Sequence, residues 1–169
     1  PTIRSRCLLF RIPSESTSIH EASWLKWLED YGNWITSLQS KRSTKRTAAQ
    51  YVMTAYGLSM RFNSVLDQLH DQDWEDYKNE NLDDNEDHAA ALKAGMLKST
   101  RKRMLLEIQN HTRNLVCADP DKMDASLTRK LSRNVSTLEH AYRLLDRLNF
   151  NADAALEYYL LRSLQIWAS

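Results

Sequence analysis

Glycine, proline and cysteine are all scarce in this chain of 169 residues, which contains three glycines, three prolines and two cysteines. So few turn-forming residues favour long helices joined by few tight turns. The two cysteines, Cys7 and Cys117, provide neither a disulfide framework nor a metal-binding spacing. No apolar run approaches the roughly 18 residues that cross a membrane, and no segment has the pattern of a signal peptide. We therefore expect a cytoplasmic protein with no membrane partner.

Motifs for nucleotide binding, metal binding and catalysis are also lacking. The sequence has neither Gly-x-x-x-x-Gly-Lys-Ser/Thr nor Gly-x-Gly-x-x-Gly, so we expect these residues to bind no cofactor or nucleotide through such a loop. Its five histidines stand singly, without a His-x-x-x-His or Cys-x-x-Cys pair, and we expect no metal site. The net charge of +1 gives no reason, by itself, to expect a nucleic-acid partner.

The opening twelve residues differ from the rest because they have the pattern of a β-strand. Arg4 and Arg6 alternate with less polar neighbours between Ile3 and Cys7, and Pro13 ends the segment. On spacing alone, the two arginines are outward-facing charges on an edge strand. The segment begins without Met and without a helical lead-in, so we expect the chain to be a piece of a longer protein.

Beyond this strand the apolar residues recur at helical spacing. A capping box of Ser18 and Glu21 starts a first helix, which we expect to stop at Gly32. Trp34, Ile35 and Leu38 then form a separate apolar cluster. Longer apolar stripes predict four more helices, over residues 45–70, about 85–117, 127–148 and 151–167.

Two charged segments lie in the middle of the chain. Residues 71–87 contain nine acids opposed only by Lys78, and because no EF-hand pattern is present we expect an exposed connector rather than a metal site. The helix that follows has a basic side made of Lys98, Arg101, Lys102 and Arg103. Three interpretations of this side are open: a solvated face, a partner for the acidic connector, or contact with DNA phosphates, which would make binding salt-dependent.

A family resemblance lies in the opening strand. The run Pro1-Thr2-Ile3-Arg4-Ser5-Arg6-Cys7, followed by an apolar stretch, resembles the Ser-Arg-Cys motif of clamp-loader ATPases, and most closely the delta-prime type of the bacterial DNA polymerase III clamp loader. In that family the motif closes the nucleotide-binding domain, and its Arg reaches the triphosphate held by a neighbouring subunit. The resemblance implies that Arg6, flanked by Ser5 and Cys7, is an arginine finger acting in trans. Such a finger contributes roughly three to five powers of ten in rate in other nucleotide hydrolases.

A second resemblance lies at the other end of the chain. The residues Asn149, Asn151, Leu156, Glu157, Leu160 and Leu161 match the clamp-loader signature Asn-x-Asn-x-x-x-x-Leu-Glu-x-x-Leu-Leu. In that family the signature belongs to a collar domain that packs against neighbouring collars and holds a five-membered ring together. The resemblance implies a subunit interface formed by Asn149, Asn151, Leu156, Leu160 and Leu164.

Taken together, the two resemblances imply a mainly α fold with a fixed order of parts. Residues 1–12 would be the last strand of an AAA+ core, 13–70 a helical lid, 71–87 an acidic connector and 88–169 the collar. The segment from Gly57 to Arg61 stands where the family has a Gly-Ser-Pro-Gly-Arg-like run, and it lacks the Pro. Arg61 is therefore a candidate nucleotide sensor, with a solvated helix arginine as the alternative.

Two classes of function remain open. The resemblance implies a delta-prime-like subunit that joins gamma/tau and delta in a hetero-pentamer, uses ATP bound by a neighbour, and places the sliding clamp on primed DNA. The gamma/tau motor subunit is the close alternative, which an upstream P-loop would favour. The other class is a helical scaffold or adaptor unrelated to replication. A sequence-specific DNA binder is disfavoured because no reading helix is recognisable.

Overall fold

All regular elements in the described part of the chain are α-helices. The computed structural model describes residues 18–40, 45–80, 86–118, 124–148 and 152–168. It contains the helices α1 (Ala22–Ser40), α2 (Lys45–Glu80), α3 (Glu86–Cys117), α4 (Ala125–Leu148) and α5 (Ala152–Ala168). The prediction of a mainly α fold is therefore confirmed for these residues. The strand predicted over residues 1–12 lies outside them.

A ladder of aromatic rings on α1 forms the centre of the hydrophobic core. Trp24 stacks on Trp27 with ring centroids 5.2 Å apart, and Trp27 stacks on Tyr31 at 5.4 Å. Phe62 of α2 meets both tryptophans edge-on. The indole N–H of Trp27 donates to the carbonyl of Leu58 on α2 at 2.8 Å, so its one polar atom is satisfied inside the core.

The other helices complete the same core. α5 packs against α1, α2 and α4, and α3 packs against α1, α2 and α4. Buried apolar residues from all five helices form one contiguous cluster that runs from Ile19 to Trp167. The segments predicted as lid and as collar therefore contribute side chains to a single core in this structure.

The start of α1 is fixed by a carboxylate from α3. Glu107 accepts the backbone N–H of Ile19 on one oxygen at 2.6 Å and the indole N–H of Trp24 on the other at 2.5 Å. The first turn of the helix closes with a hydrogen bond from the N–H of Leu25 to the carbonyl of Glu21. Glu21 thus stands at the N-cap position and not at the third helical position of the predicted capping box.

The predicted end of α1 at Gly32 is wrong, because the helix continues to Ser40. The reason is the close approach of α3. A Cβ atom at position 32 would lie 2.8 Å from His111 Nε2 and 3.1 Å from Leu115 Cδ1. Glycine is therefore needed here for helix packing and not as a C-cap. The cluster of Trp34, Ile35 and Leu38 belongs to the same helix and is buried.

The length of α2 also departs from prediction, because the helix continues ten residues past the expected end at position 70. Trp74 anchors this extension. It is buried and stacks on Tyr77 at 5.7 Å, and the ammonium groups of Lys78 and Lys93 lie 5.6 and 5.8 Å from its ring centroid. Because Lys93 belongs to α3, a tertiary contact holds the acidic residues 71–80 in helical form.

The last three helices follow the predicted pattern closely. α3 begins within one residue of its expected start, and α4 and α5 form the expected pair. Asp124 caps α4, since its Oδ1 accepts the N–H of Leu127 at 2.6 Å. None of the described helices is long and apolar enough to cross a membrane.

The three glycines provide a direct test of the contact between α1 and α3. Around Gly57 and Gly95 no atom lies within 4 Å of an added Cβ. Gly57→Ala and Gly95→Ala should each raise the free energy of unfolding by up to about 1 kcal/mol, because alanine is the better helix former. Gly32→Ala should lower it despite the same gain, because the added methyl presses on His111. Urea denaturation measures all three, and a Gly32→Ala as stable as the two controls would contradict the close approach.

Candidate functional site

The residues that carry the family resemblance are only partly described by the structure. Ser5, Arg6 and Cys7 lie outside the described residues, and so do Asn149 and Asn151. The finger and the asparagines of the signature therefore stay predictions.

The leucines of the predicted subunit interface lie in α5 and face the interior of this chain. Leu156 and Leu160 are 3% and 0% exposed, and Leu164 is partly buried against the same core. Their contacts stabilise the bundle itself. Their contact with another subunit stays a prediction. The outer edge of α5 is formed by other residues, including Leu161, which is partly buried.

Arg61, the candidate nucleotide sensor, is exposed on α2 and forms an ion pair with α1. Its Nη1 lies 2.6 Å from Oδ2 of Asp30, and Lys26 contacts the other oxygen at 3.2 Å. The hydrogen bond from Arg61 lowers the pKa of the Asp30 carboxyl. Because the arginine side chain is half exposed, the pair contributes little to stability. This is the geometry expected for a solvated arginine that joins two helices.

Acidic residues of α2 and basic residues of α3 face each other. Thr100 donates to the Asp73 carboxylate at 2.8 Å, and Arg103 lies 3.4 Å from the same oxygen. Lys93 lies 3.9 Å from Asp71. The interpretation of the basic side as a partner for the acidic segment is therefore supported at Arg103.

Neighbouring acids of α2 border an open cleft beside the start of α1. Its volume is about 620 Å³. The cleft is lined by Glu21, Gln68, Asp71, Gln72, Glu75 and Asp76. Among the described residues, no three or more His, Cys, Asp or Glu side chains are grouped to hold a metal ion.

A chain of hydrogen bonds crosses the centre of the bundle and joins four helices. The Tyr31 hydroxyl lies 2.8 Å from Thr112 Oγ1 on α3 and 2.7 Å from the Tyr159 hydroxyl on α5. Tyr159 donates to Asn134 Oδ1 on α4 at 3.0 Å, and Asn134 Nδ2 donates to Ser163 Oγ at 2.7 Å. All five side chains are buried. Burial raises the pKa of both tyrosines, so both hydroxyls keep their protons at neutral pH.

The hydroxyl protons of this network are fewer than its contacts. Thr112 donates to the carbonyl of Ile108 at 2.7 Å, and Tyr159 donates to Asn134. The Tyr31 hydroxyl is then the only donor for its two contacts, and it donates its one proton either to Thr112 or to Tyr159. Removal of the Tyr31 hydroxyl therefore takes a donor only from an oxygen that keeps a hydrogen bond of its own, whereas removal of the Tyr159 hydroxyl takes the donor from Asn134 Oδ1.

Apolar periodicity alone does not predict this network. Thr112, Asn134 and Ser163 each occupy a position on the buried side of an otherwise apolar helix. Buried polar side chains are nearly always hydrogen-bonded, so polar residues at apolar positions are the signal that could have identified the network. Their pairing across three helices is fixed only by the tertiary structure.

His111 is the second polar group at the contact between α1 and α3. Its Nε2 is buried and has no hydrogen-bond partner among the described residues. The ring lies against Gly32 and its centroid is 6.4 Å from that of Tyr31. Burial lowers the pKa of His111, so the imidazole is neutral at pH 7.

The surface of α2 carries a group of exposed apolar side chains, which we call the α2 stripe: Met53, Tyr56 and Met60. Their exposed fractions are 74%, 42% and 75%. They are three and four residues apart and therefore lie on one face of the helix. Tyr56 borders a shallow depression that it shares with Glu157 and Leu161 of α5. Large apolar side chains grouped on one exposed helix face are a feature of surfaces that bind other proteins.

Comparisons with known proteins identify no relative of this chain, because no protein-family model, no curated protein and no solved structure matches it.

Tyrosine substitutions test which hydroxyl is an essential donor in the buried network. Tyr31→Phe should lower the free energy of unfolding by less than about 1 kcal/mol, because Thr112 and Tyr159 each keep the hydrogen bond that they donate. Tyr159→Phe should lower it by about 1–3 kcal/mol, because Asn134 Oδ1 is left buried without a donor. Both values come from urea denaturation at neutral pH. Equal losses for the two variants would contradict the assignment of Tyr31 as the redundant member.

The buried His111 makes stability depend on pH. In the unfolded chain the imidazole gains a proton as the pH falls through about 6.5, whereas in the bundle its lowered pKa keeps it neutral. The contribution of the buried imidazole to stability is therefore complete above the unfolded-state pKa. It should be lost progressively as the pH falls from there towards the folded-state pKa. Denaturation between about pH 5.5 and 7.5 measures the loss.

Two substitutions isolate the contribution of His111. His111→Gln should flatten the pH dependence of the free energy of unfolding, and His140→Gln, at an exposed histidine, is the matched control for the same substitution outside the core. An unaltered profile in the His111 variant would assign the effect to another group.

Proposed function

We propose that this chain is the assembly part of a delta-prime-type subunit of the bacterial DNA polymerase III clamp loader. The sequence supports this through Ser5-Arg6-Cys7 near the start and through the signature from Asn149 to Leu161. The structural observation that carries the proposal is the position of α5. This helix bears the signature leucines and packs against α1, α2 and α4, so the segment that resembles the family is an integral part of the bundle.

In such a complex the chain binds neighbouring subunits and completes the ATP site of one of them. Its partners are the gamma/tau and delta subunits, and the assembled ring acts on the sliding clamp and primed DNA in the cytoplasm. ATP is bound by a neighbouring subunit. Arg6 then stabilises the charge that develops on the transferred phosphoryl group, because a planar and permanently charged guanidinium can meet two oxygens at once.

The five described helices act in this proposal as one unit. The segments 13–70 and 88–169, predicted as lid and collar, supply side chains to the same core. A neighbouring subunit that binds to any one of these helices therefore binds to the bundle as a unit, because all five helices share one core.

Reconstitution with purified gamma/tau and delta subunits tests the proposal. The full-length subunit should enter a hetero-pentamer, seen as a mass increase in size-exclusion chromatography with light scattering. Arg6→Ala should leave assembly intact and lower the DNA-stimulated ATPase rate of the complex at least several-fold. Arg4→Ala, on the same predicted strand, is the matched control and should keep the wild-type rate. An unchanged ATPase rate with Arg6→Ala would contradict the role of Arg6 as an arginine finger. Failure of the wild-type subunit to form any complex would contradict the clamp-loader proposal.

A second candidate is a helical adaptor unrelated to replication. The observation that favours it is the exposed α2 stripe, which would bind a second copy of the chain or another protein. In that case the purified chain sediments as a homodimer and does not bind gamma/tau or delta.

A further inference from the structure

We propose that the α2 stripe is the docking site for one helix of a neighbouring clamp-loader subunit. The inference rests on the function proposed above and adds to it the surface and the kind of partner. Met53 and Met60 each expose about three quarters of their surface. Such exposure of two large apolar side chains two turns apart, with Tyr56 between them, is typical of a binding surface.

Other exposed apolar residues of the described helices do not form a comparable group. Leu25, Leu106, Leu115 and Tyr158 are between 37% and 48% exposed and are distributed over α1, α3 and α5. Single apolar residues on a surface are ordinary. The α2 stripe differs because its members share one helix face and expose more of their surface.

The spacing of the stripe suits a helix as its occupant. Ala49, also exposed, lies one turn before Met53, so the face reads 49, 53, 56 and 60 in steps of four, three and four. These positions cover about 16 Å, or three turns. A seam of this period is complementary to a second helix that crosses at about 20° with its own apolar seam. Methionine side chains are unbranched and adapt to the partner's surface.

The charge at the edge of the stripe further defines the partner helix. Glu157 lies beside Tyr56 and Leu161, and no ion pair of Glu157 is found within the described residues. On the opposite edge Arg61 is already paired with Asp30. A Lys or Arg beside the partner's apolar seam would complement Glu157.

The size of the stripe favours a neighbour in a ring over a second copy of the chain. Three side chains expose a few hundred Å² at most, whereas a stable dimer buries about 800 Å² on each partner. The stripe is therefore too small to hold a homodimer by itself. It suits one helix contact within an assembly in which other surfaces of the subunits also meet.

A double variant tests the docking site in the reconstituted complex. Met53→Glu combined with Met60→Glu should keep the wild-type circular dichroism and melting temperature, because both side chains are exposed. It should bind the partner subunits about tenfold more weakly or worse, as measured by biolayer interferometry. Leu106→Glu on α3, 44% exposed, is the matched control and should bind like the wild type. A photo-cross-linking residue at position 56 should cross-link to a helix of the neighbouring subunit.

The outcomes separate this inference from the proposed function. If the wild-type subunit assembles and the double variant binds equally well, the docking site is overturned while the function stands. If the wild-type subunit binds neither gamma/tau nor delta, the function is overturned, and the inference with it. If the double variant instead abolishes a homodimer of the purified chain, the occupant is a second copy and the assignment to a neighbouring subunit is wrong.

Discussion

The stacked rings of Trp24, Trp27 and Tyr31 are the contact on which the rest of the bundle depends. They form a continuous aromatic surface along α1, and the buried faces of the other helices are arranged around it. Aromatic side chains bury more area than any others and pack in defined geometries, so they fix the distances between helices as well as adding stability. The carboxylate of Glu107 holds the start of this surface in place through Ile19 and Trp24.

Polar contacts inside the bundle add specificity to this packing. An apolar surface alone would allow helices to slide by a turn, whereas the bonds joining Tyr31, Tyr159 and Asn134 are satisfied in one register only. The contact of His111 with Gly32 acts in the same way, because only a residue without a side chain allows the approach. The result is a defined bundle that can present the α2 stripe on a fixed surface.

The bounds of some helices could be predicted from the sequence, whereas those of others could not. The periodicity of α3, α4 and α5 was sufficient to place them within a few residues, because their apolar stripes are regular. The end of α1 was misplaced because Gly32 has the same appearance in sequence whether it stops a helix or admits a neighbour. The extension of α2 was missed because nine nearby acids favour an exposed connector, while contacts of Trp74 and Asp73 with α3 are visible only in the packed structure. The α2 stripe was not singled out, since exposure cannot be distinguished from burial by spacing alone.

By itself the sequence determined the helical class and the approximate positions of the helices, because these depend on local spacing and residue type. Only the tertiary structure decided that all five helices share one core, that Leu156 and Leu160 belong to it, and that Met53 and Met60 do not. The physical reason is that burial is a property of the packed chain. A helix with apolar residues on more than one face can turn any of them inward, and the neighbouring helices determine which one.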